Sequence, residues 1–87
     1  MAFNYSIIFD PEALSFLEKA EKDIARRIWN KLTSTKENPH RFFEKLSGRS
    51  DFKLRVGDYR VVADIDTTSE KIFVSLIGHR KNVYKNI

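Results

Sequence analysis

The sequence predicts an α+β domain in which two N-terminal helices pack on one side of an antiparallel β-sheet, in the order βααβββ. Residues 3–9, 52–56 and 59–66 alternate side chains with the period of two that is typical of strands. Residues 14–32 instead repeat apolar side chains at helical spacing. With 87 residues the chain is predicted to be one domain, 1–87, with little room for an enclosed small-molecule pocket.

Helix-start signals divide the first half of the chain after its opening strand. Asp10 can cap the first helix, and Pro11 suits the first position of that helix. Asp23 can cap a second helix that continues to about Leu32. Residues 40–51 lack a clear period and are predicted to be a loop with a short helical or extended piece.

Three strand-like runs follow, and the first two predict a hairpin. Gly57-Asp58 is a two-residue turn candidate of type II′. Because side chains alternate along a strand, Lys53 and Arg55 are expected on one face, opposite the apolar residues. Arg60 is expected on the less apolar face of the next strand, so the hairpin gathers three cations.

Composition excludes several classes of function. The chain contains no cysteine, which excludes disulfides, thiol nucleophiles, zinc knuckles and iron–sulfur clusters. The apolar run Ile7-Ile8-Phe9 is far too short for a signal sequence or a membrane span. We therefore expect a cytoplasmic protein that does not engage a membrane, and no metal or other cofactor.

The formal net charge of +4 is distributed unevenly. Residues 1–38 are balanced, whereas residues 39–63 and 78–87 each carry a net charge of +3. If the fold brings these two stretches together, they form a cationic surface for a polyanion. Like charges on one strand face repel each other, which favours a phosphate site at the hairpin. Acidic residues from the helices remain an alternative explanation, because they can neutralise the same cations.

The C-terminal stretch adds groups that are typical of RNA contacts. Gly78-His79-Arg80-Lys81 follows the last strand, and Tyr84 comes shortly after it. An aromatic ring stacks on a base while guanidinium groups hold a phosphate. Two structural alternatives remain open, in which Tyr84 covers the sheet edge and His79 makes only structural hydrogen bonds.

These stretches resemble the two signature stretches of the RelE toxins, part of the wider RelE/ParE group of toxin–antitoxin modules. The resemblance is carried by residues 54–61, Leu-Arg-Val-Gly-Asp-Tyr-Arg-Val, and by residues 78–84, Gly-His-Arg-Lys-Asn-Val-Tyr. The opening Ile-Phe-Asp-Pro-Glu-Ala at 8–13 and Lys-Leu-Ser-Gly at 45–48 are also similar to that family. The likeness covers essentially the whole chain.

The resemblance implies the RelE-like fold, which is shared with small microbial ribonucleases. It also implies a metal-independent endoribonuclease, or mRNA interferase, that cuts messenger RNA on the ribosome and inhibits translation. A cognate RelB-like antitoxin is expected to neutralise the toxin in a hetero-oligomer. Complexes of this kind commonly repress their own promoter.

Carried over by position, the family's catalytic set falls on five residues of this sequence: Lys53, Arg55, Arg60, Arg80 and Tyr84. The substrate's own 2′-hydroxyl attacks the phosphate in this reaction class, so the protein supplies no nucleophile. Further RNA contacts are expected from the neighbouring basic residues: Arg49, His79, Lys81 and Lys85.

The resemblance leaves two candidates for the proton-transfer group. Lys53 is the candidate general base, because crowding by other cations favours its neutral form. The position of Arg55 is often lysine in the family, and arginine is a poor base because it stays protonated. The general base is therefore expected to be Lys53 or, alternatively, His79.

Two other functions stay open at this stage. The first is a ParE-like inhibitor of DNA gyrase, although the combination of Lys53, Arg60, Arg80 and Tyr84 favours the ribonuclease. The second is a catalytically inactive relative that acts with its antitoxin in promoter repression.

Overall fold

The computed structural model describes residues 4–83. They form three helices and five strands in the order β1 (Ser6–Phe9), α1 (Pro11–Lys19), α2 (Lys22–Ser34), α3 (Pro39–Phe42), β2 (Glu44–Lys45), β3 (Phe52–Val56), β4 (Tyr59–Asp66) and β5 (Lys71–His79). The two long helices and the three-stranded meander match the predicted order. The two short elements, α3 and β2, occupy the stretch predicted to be a loop with a short helical or extended piece. None of the described helices is long and apolar enough to span a membrane.

All five strands join one sheet in the order β1-β5-β4-β3-β2. The meander β3-β4-β5 is antiparallel, as predicted, and β2 adds an antiparallel edge. At the other edge β1 pairs with β5 in parallel, so the whole sheet is mixed. No hairpin joins β1 to its neighbour, because the helices intervene, and local turn signals therefore carried no information about its direction.

The helices begin close to their predicted starts. Asp10 occupies the N-cap position of α1, with Pro11 first in the helix, but its side chain makes no capping hydrogen bond. The prediction that Asp23 caps α2 was wrong, because that helix begins at Lys22 after Glu21. Asp23 lies in the first turn instead, where its charge still interacts favourably with the helix dipole.

The main core lies between the helices and one face of the sheet, which we call the helix face. Ala13 of α1 and Ile28 and Leu32 of α2 are fully buried against it. The sheet contributes a second set of buried residues: Leu54, Val56, Val61, Ala63, Ile72, Val74 and Ile77. Burial of this apolar surface is the main driving force that holds the helices on this side.

The opposite face of the sheet, which we call the open face, carries a smaller apolar cluster. Val62 and Leu76 pack there with Val83 from the segment after β5, and Leu46 covers them from the loop before β3. Gly78 lies beside this segment, and a Cβ atom there would be 3.5 Å from the Cβ of Val83, an ordinary van der Waals contact. The chain after β5 therefore folds back over the open face.

Candidate phosphate-binding site

The β3–β4 hairpin places the predicted cations on the open face. Val56 pairs with Tyr59, so the loop has two residues, and Gly57 adopts a φ of +59° while Asp58 does not take a positive φ. This is the pattern of the predicted type II′ turn. Lys53 lies opposite Val62, and Arg55 lies opposite Arg60. Because paired residues point to the same side, all three cations share a face with the small apolar cluster.

An open depression of about 530 Å³ joins these cations where β2, β3, α2 and α3 meet. Its charged lining consists of four cations and one acid: Lys31, Lys53, Arg55, Arg60 and Glu44. Within residues 4–83, β2 pairs only with the start of β3, so Leu54–Val56 have no partner strand on the outer edge. The sheet edge beside the cations is therefore accessible to a ligand.

Arg60 is the most constrained of these cations. It is only 7% exposed, and its Nη1 donates hydrogen bonds to the carbonyl oxygens of Gly57 at 2.9 Å and Tyr59 at 2.8 Å. These bonds use both N–H groups of Nη1, whereas Nε and Nη2 donate to no other group within residues 4–83. The turn thus holds one edge of the guanidinium and pre-orients the rest.

Glu44 is a site residue that sequence reasoning missed. Its Oε2 lies 4.0 Å from the Nζ of Lys53, and the two residues are opposed in the β2–β3 register. Glu44 therefore places an opposite charge beside Lys53. The same carboxylate can also accept a proton. The signal in the sequence was an acidic residue, Glu44, between Phe43 and Lys45 in an otherwise basic stretch.

Arg80 lies beside the hairpin turn and is not among the residues that line the depression. Its backbone N–H donates a hydrogen bond to the carbonyl of Asp58 at 2.8 Å, and its Nε lies 3.8 Å from Asp58 Oδ1. Lys81 follows and is exposed. The predicted proximity of the tail to the hairpin is therefore present, with Asp58 as the neighbouring acid.

The structure does not bring His79 together with the cations. His79 pairs with Tyr59, on the helix face, and the two rings meet edge to face with centroids 5.6 Å apart. Its Nδ1 accepts a hydrogen bond from the backbone N–H of Lys81 at 3.2 Å, which places the proton of the neutral ring on Nε2. His79 lines a separate depression of about 580 Å³ beside α1. Its proposed role with RNA remains a prediction.

Arg49 is held by an acid of its own loop. Its Nε and Nη2 donate hydrogen bonds to the two carboxylate oxygens of Asp51 at 2.8 and 2.9 Å. The hydrogen bond from Arg49 lowers the pKa of Asp51 below its ordinary value. A polyanion that uses Arg49 must therefore compete with Asp51 for the guanidinium.

The remaining predictions fall outside the described residues. Tyr84 and Lys85 follow the last described residue, Val83, so their predicted roles stay predictions. Among residues 4–83, no group of three or more His, Asp or Glu side chains is arranged to hold a metal ion.

Phe42 is a second lining residue that the sequence did not single out. It follows Arg41 in α3 and precedes Phe43, and of the two adjacent phenylalanines only Phe43 is buried. Lys31 approaches from α2, with its Nζ 5.4 Å from the centre of the Phe42 ring. The signal was the aromatic pair itself, because neighbouring side chains seldom both enter one core.

A family model described as "ParE toxin of type II toxin-antitoxin system, parDE" matches residues 7–84. The match covers nearly the whole described chain, including the hairpin and the end of β5. No curated protein matches the chain.

Solved structures of RelE toxins share the fold. The chain is similar to the RelBE2 toxin–antitoxin complex of Mycobacterium tuberculosis, with a TM-score of 0.82, 22% identity, and coverage of 92% of this chain and 95% of that one. It is similar to the toxin of the intact Escherichia coli RelBE complex, with a TM-score of 0.73, 28% identity, and coverage of 86% and 95%. The isolated E. coli RelE toxin gives a TM-score of 0.75, 26% identity, and coverage of 94% and 93%. The chain therefore belongs to the ParE toxin family, within the RelE/ParE superfamily of type II toxin–antitoxin toxins, and is structurally like RelE.

Proposed function

We propose that this protein is a ribosome-dependent endoribonuclease that cuts messenger RNA and so inhibits translation. The observation that carries the proposal is the depression at the outer edge of β3 that Lys53, Arg55 and Arg60 share. Three cations on one hairpin cost stability unless an anion binds between them. A scissile phosphate is the anion that fits a toxin whose relatives of known structure are RelE proteins.

The reaction starts from the 2′-hydroxyl of the RNA, which attacks the adjacent phosphorus while the 5′-oxygen leaves. The products are a 2′,3′-cyclic phosphate and a 5′-hydroxyl. Charge builds on the non-bridging phosphate oxygens, and the free N–H groups of Arg60, with Arg55 and Arg80, stabilise it through charge-assisted hydrogen bonds. Tyr84 is assigned to orient a base by stacking. No step requires a metal ion.

Lys53 is assigned the role of general base, and Glu44 is its neighbour within 4.0 Å. When substrate brings a phosphate to the depression, Glu44 competes with that phosphate for the lysine. Arg49, His79, Lys81 and Lys85 are assigned to outer contacts with RNA. The open shape of the depression suits a site that is completed by the ribosome.

An antitoxin partner is part of the same proposal. The M. tuberculosis and E. coli relatives were solved as complexes of toxin with antitoxin. We infer that a RelB-like antitoxin binds this chain in a hetero-oligomer in the cytoplasm and neutralises it.

A second candidate function is inhibition of DNA gyrase, favoured by the match to the ParE family model. Expression of the chain in cells separates the two functions. The ribonuclease predicts that primer extension finds new 5′ ends within translated messages while plasmid supercoiling is unchanged. Intact messages with a loss of negative supercoiling would assign the chain to gyrase inhibition instead.

Absence of both effects would leave a third candidate, an inactive relative that works with its antitoxin. That candidate predicts repression of the shared promoter when the two proteins are expressed together. Ile8→Ala is the control for the effect of a substitution as such. Ile8 is an exposed apolar residue at the opposite edge of the sheet, so this variant should keep full toxicity.

A further inference from the structure

Phe42 exposes an aromatic ring at the depression that holds the cations. It is 39% exposed, whereas the next residue, Phe43, is 4% exposed and belongs to the core. The short helix α3 ends at Phe42 and places this ring beside the charged lining of the depression. An exposed ring of this size at a charged depression offers a surface for a flat apolar partner.

Two cations flank the same ring. The Nζ of Lys31 lies 5.4 Å from the ring centre, and the Cζ of Arg41 lies 5.9 Å from it. Cations at these distances are attracted to the negative face of the ring, and they add positive charge next to it. An aromatic surface next to cations is the combination that binds single-stranded nucleic acid, where the ring stacks on a base and the cations follow the backbone.

We propose that Phe42 and Lys31 form a nucleotide subsite beside the scissile-phosphate site. One base of the bound RNA stacks on Phe42, and a neighbouring phosphate lies against Lys31. The subsite deepens the proposed ribonuclease function and rests on it. Every base presents a stacking face, so the subsite adds affinity and register without selecting a base.

The lining of the depression favours RNA over a protein as the partner at Phe42. Centres of protein interfaces are depleted of charged residues. Here Lys53, Arg55 and Arg60 line the same depression as Phe42 and Lys31, with Glu44 as the one acid among its lining residues. Its volume of about 530 Å³ falls within the roughly 300–1,000 Å³ that small ligands occupy.

Binding of short single-stranded oligonucleotides tests the subsite directly. The probes are 2′-O-methyl RNA, which cannot undergo 2′-hydroxyl attack, and they carry 2-aminopurine at successive positions. Phe42→Leu should weaken binding roughly 5- to 100-fold and abolish the fluorescence quenching at one position. Phe42→Tyr should retain both. Ile8→Leu is the matched control, because Ile8 is also 39% exposed but lies on β1 at the far edge of the sheet.

An abasic probe identifies the cause of the loss. When the base at the quenched position is removed, wild type and Phe42→Leu should bind equally, because the ring then has nothing to stack on. The subsite is wrong if Phe42→Leu binds the intact probe within 2-fold of wild type while Arg55→Gln weakens it. It is also wrong if Phe42→Leu impairs only antitoxin binding, which would assign the ring to a protein interface.

Cleavage of ribosome-bound mRNA distinguishes a failure of the nucleotide subsite from a failure of the ribonuclease function. Loss of stacking should raise the concentration of toxin needed for half-maximal cleavage and leave the maximal rate within a few-fold of wild type. If wild type binds the probes through Phe42 but cuts no mRNA, the ribonuclease function fails and the nucleotide subsite stands. If wild type neither binds the probes nor cuts mRNA, both proposals fail.

Discussion

Arg55 and Arg60 lie directly opposite each other on the β3–β4 hairpin, so their two side chains extend from the same face of the sheet. The turn holds Arg60 through the carbonyl oxygens of Gly57 and Tyr59, and Arg55 is exposed beside it. Like charges in opposed positions destabilise a sheet. The pair is therefore an arrangement that favours anion binding at the expense of the stability of the free protein.

Removing one of these charges should stabilise the fold. Arg55→Gln is expected to raise the free energy of unfolding by about 0.2–1 kcal/mol at low salt, as measured by urea denaturation. The gain should shrink in 1 M salt, where the Debye length is about 3 Å. Lys71→Gln is the control, because Lys71 lies opposite Asp66 and its removal should give no gain. A loss of stability in Arg55→Gln would contradict the account.

Arg60 should be required for both fold and function. Arg60→Ala removes the donor to two carbonyl oxygens and is expected to cost about 1–3 kcal/mol of stability. Arg60→Lys keeps a charge without the fork of donors, so it should retain folding better than Ala and still reduce cleavage at least 100-fold. Circular dichroism and cleavage assays separate these effects. Wild-type cleavage by Arg60→Lys would show that a point charge is sufficient.

The proton acceptor can be assigned by comparing Lys53 with Glu44. Lys53→Met should lower the maximal cleavage rate by 10²- to 10⁴-fold, the usual contribution of a general base. Glu44→Gln should change the rate less than 10-fold, because it removes only the partner of Lys53. Lys45→Met, at the neighbouring exposed position of β2, is the control and should cut normally. A larger loss of cleavage rate in Glu44→Gln than in Lys53→Met would instead assign the general base to Glu44.

Acid should loosen the loop that precedes β3. The hydrogen bond from Arg49 lowers the pKa of Asp51, so Asp51 stabilises the fold above its ordinary pKa of about 3.9. That contribution disappears as the pH falls through the lowered pKa. Arg49→Ala should therefore raise the pKa of Asp51 towards its ordinary value in an NMR titration of the carboxyl carbon. Lys45→Ala should leave it unchanged, and an unaffected Asp51 in Arg49→Ala would refute the pairing.

Strand periodicity explains why the cation site could be predicted. Lys53, Arg55 and Arg60 fall on one face because β3 and the start of β4 alternate strictly about a two-residue turn. Periodicity could not predict on which face of the sheet the side chain of His79 lies. Residues 72–77 are apolar at nearly every position, and a register shift between Val62 and Ala63 interrupts the pairing with β4.

The irregular stretch 40–51 explains why two residues of the depression were not predicted from the sequence. Glu44 and Phe42 lie in a stretch without a period, where a four-residue helix and a two-residue strand are too short to leave a pattern. Their place in the depression depends on tertiary contacts with Lys53 and Lys31. Such contacts join residues of different elements, and no periodic pattern in the sequence predicts them.

Cleavage of mRNA by the purified chain in a reconstituted translation reaction tests the central claim most directly. The account predicts new message ends only when ribosomes are present, with 5′-hydroxyl and 2′,3′-cyclic phosphate termini, and no cleavage by a variant that combines Arg55→Gln with Arg60→Lys. A single 2′-deoxy nucleotide at the cut position should abolish that cut. Intact message under these conditions, or cleavage that persists at the 2′-deoxy position, would contradict it.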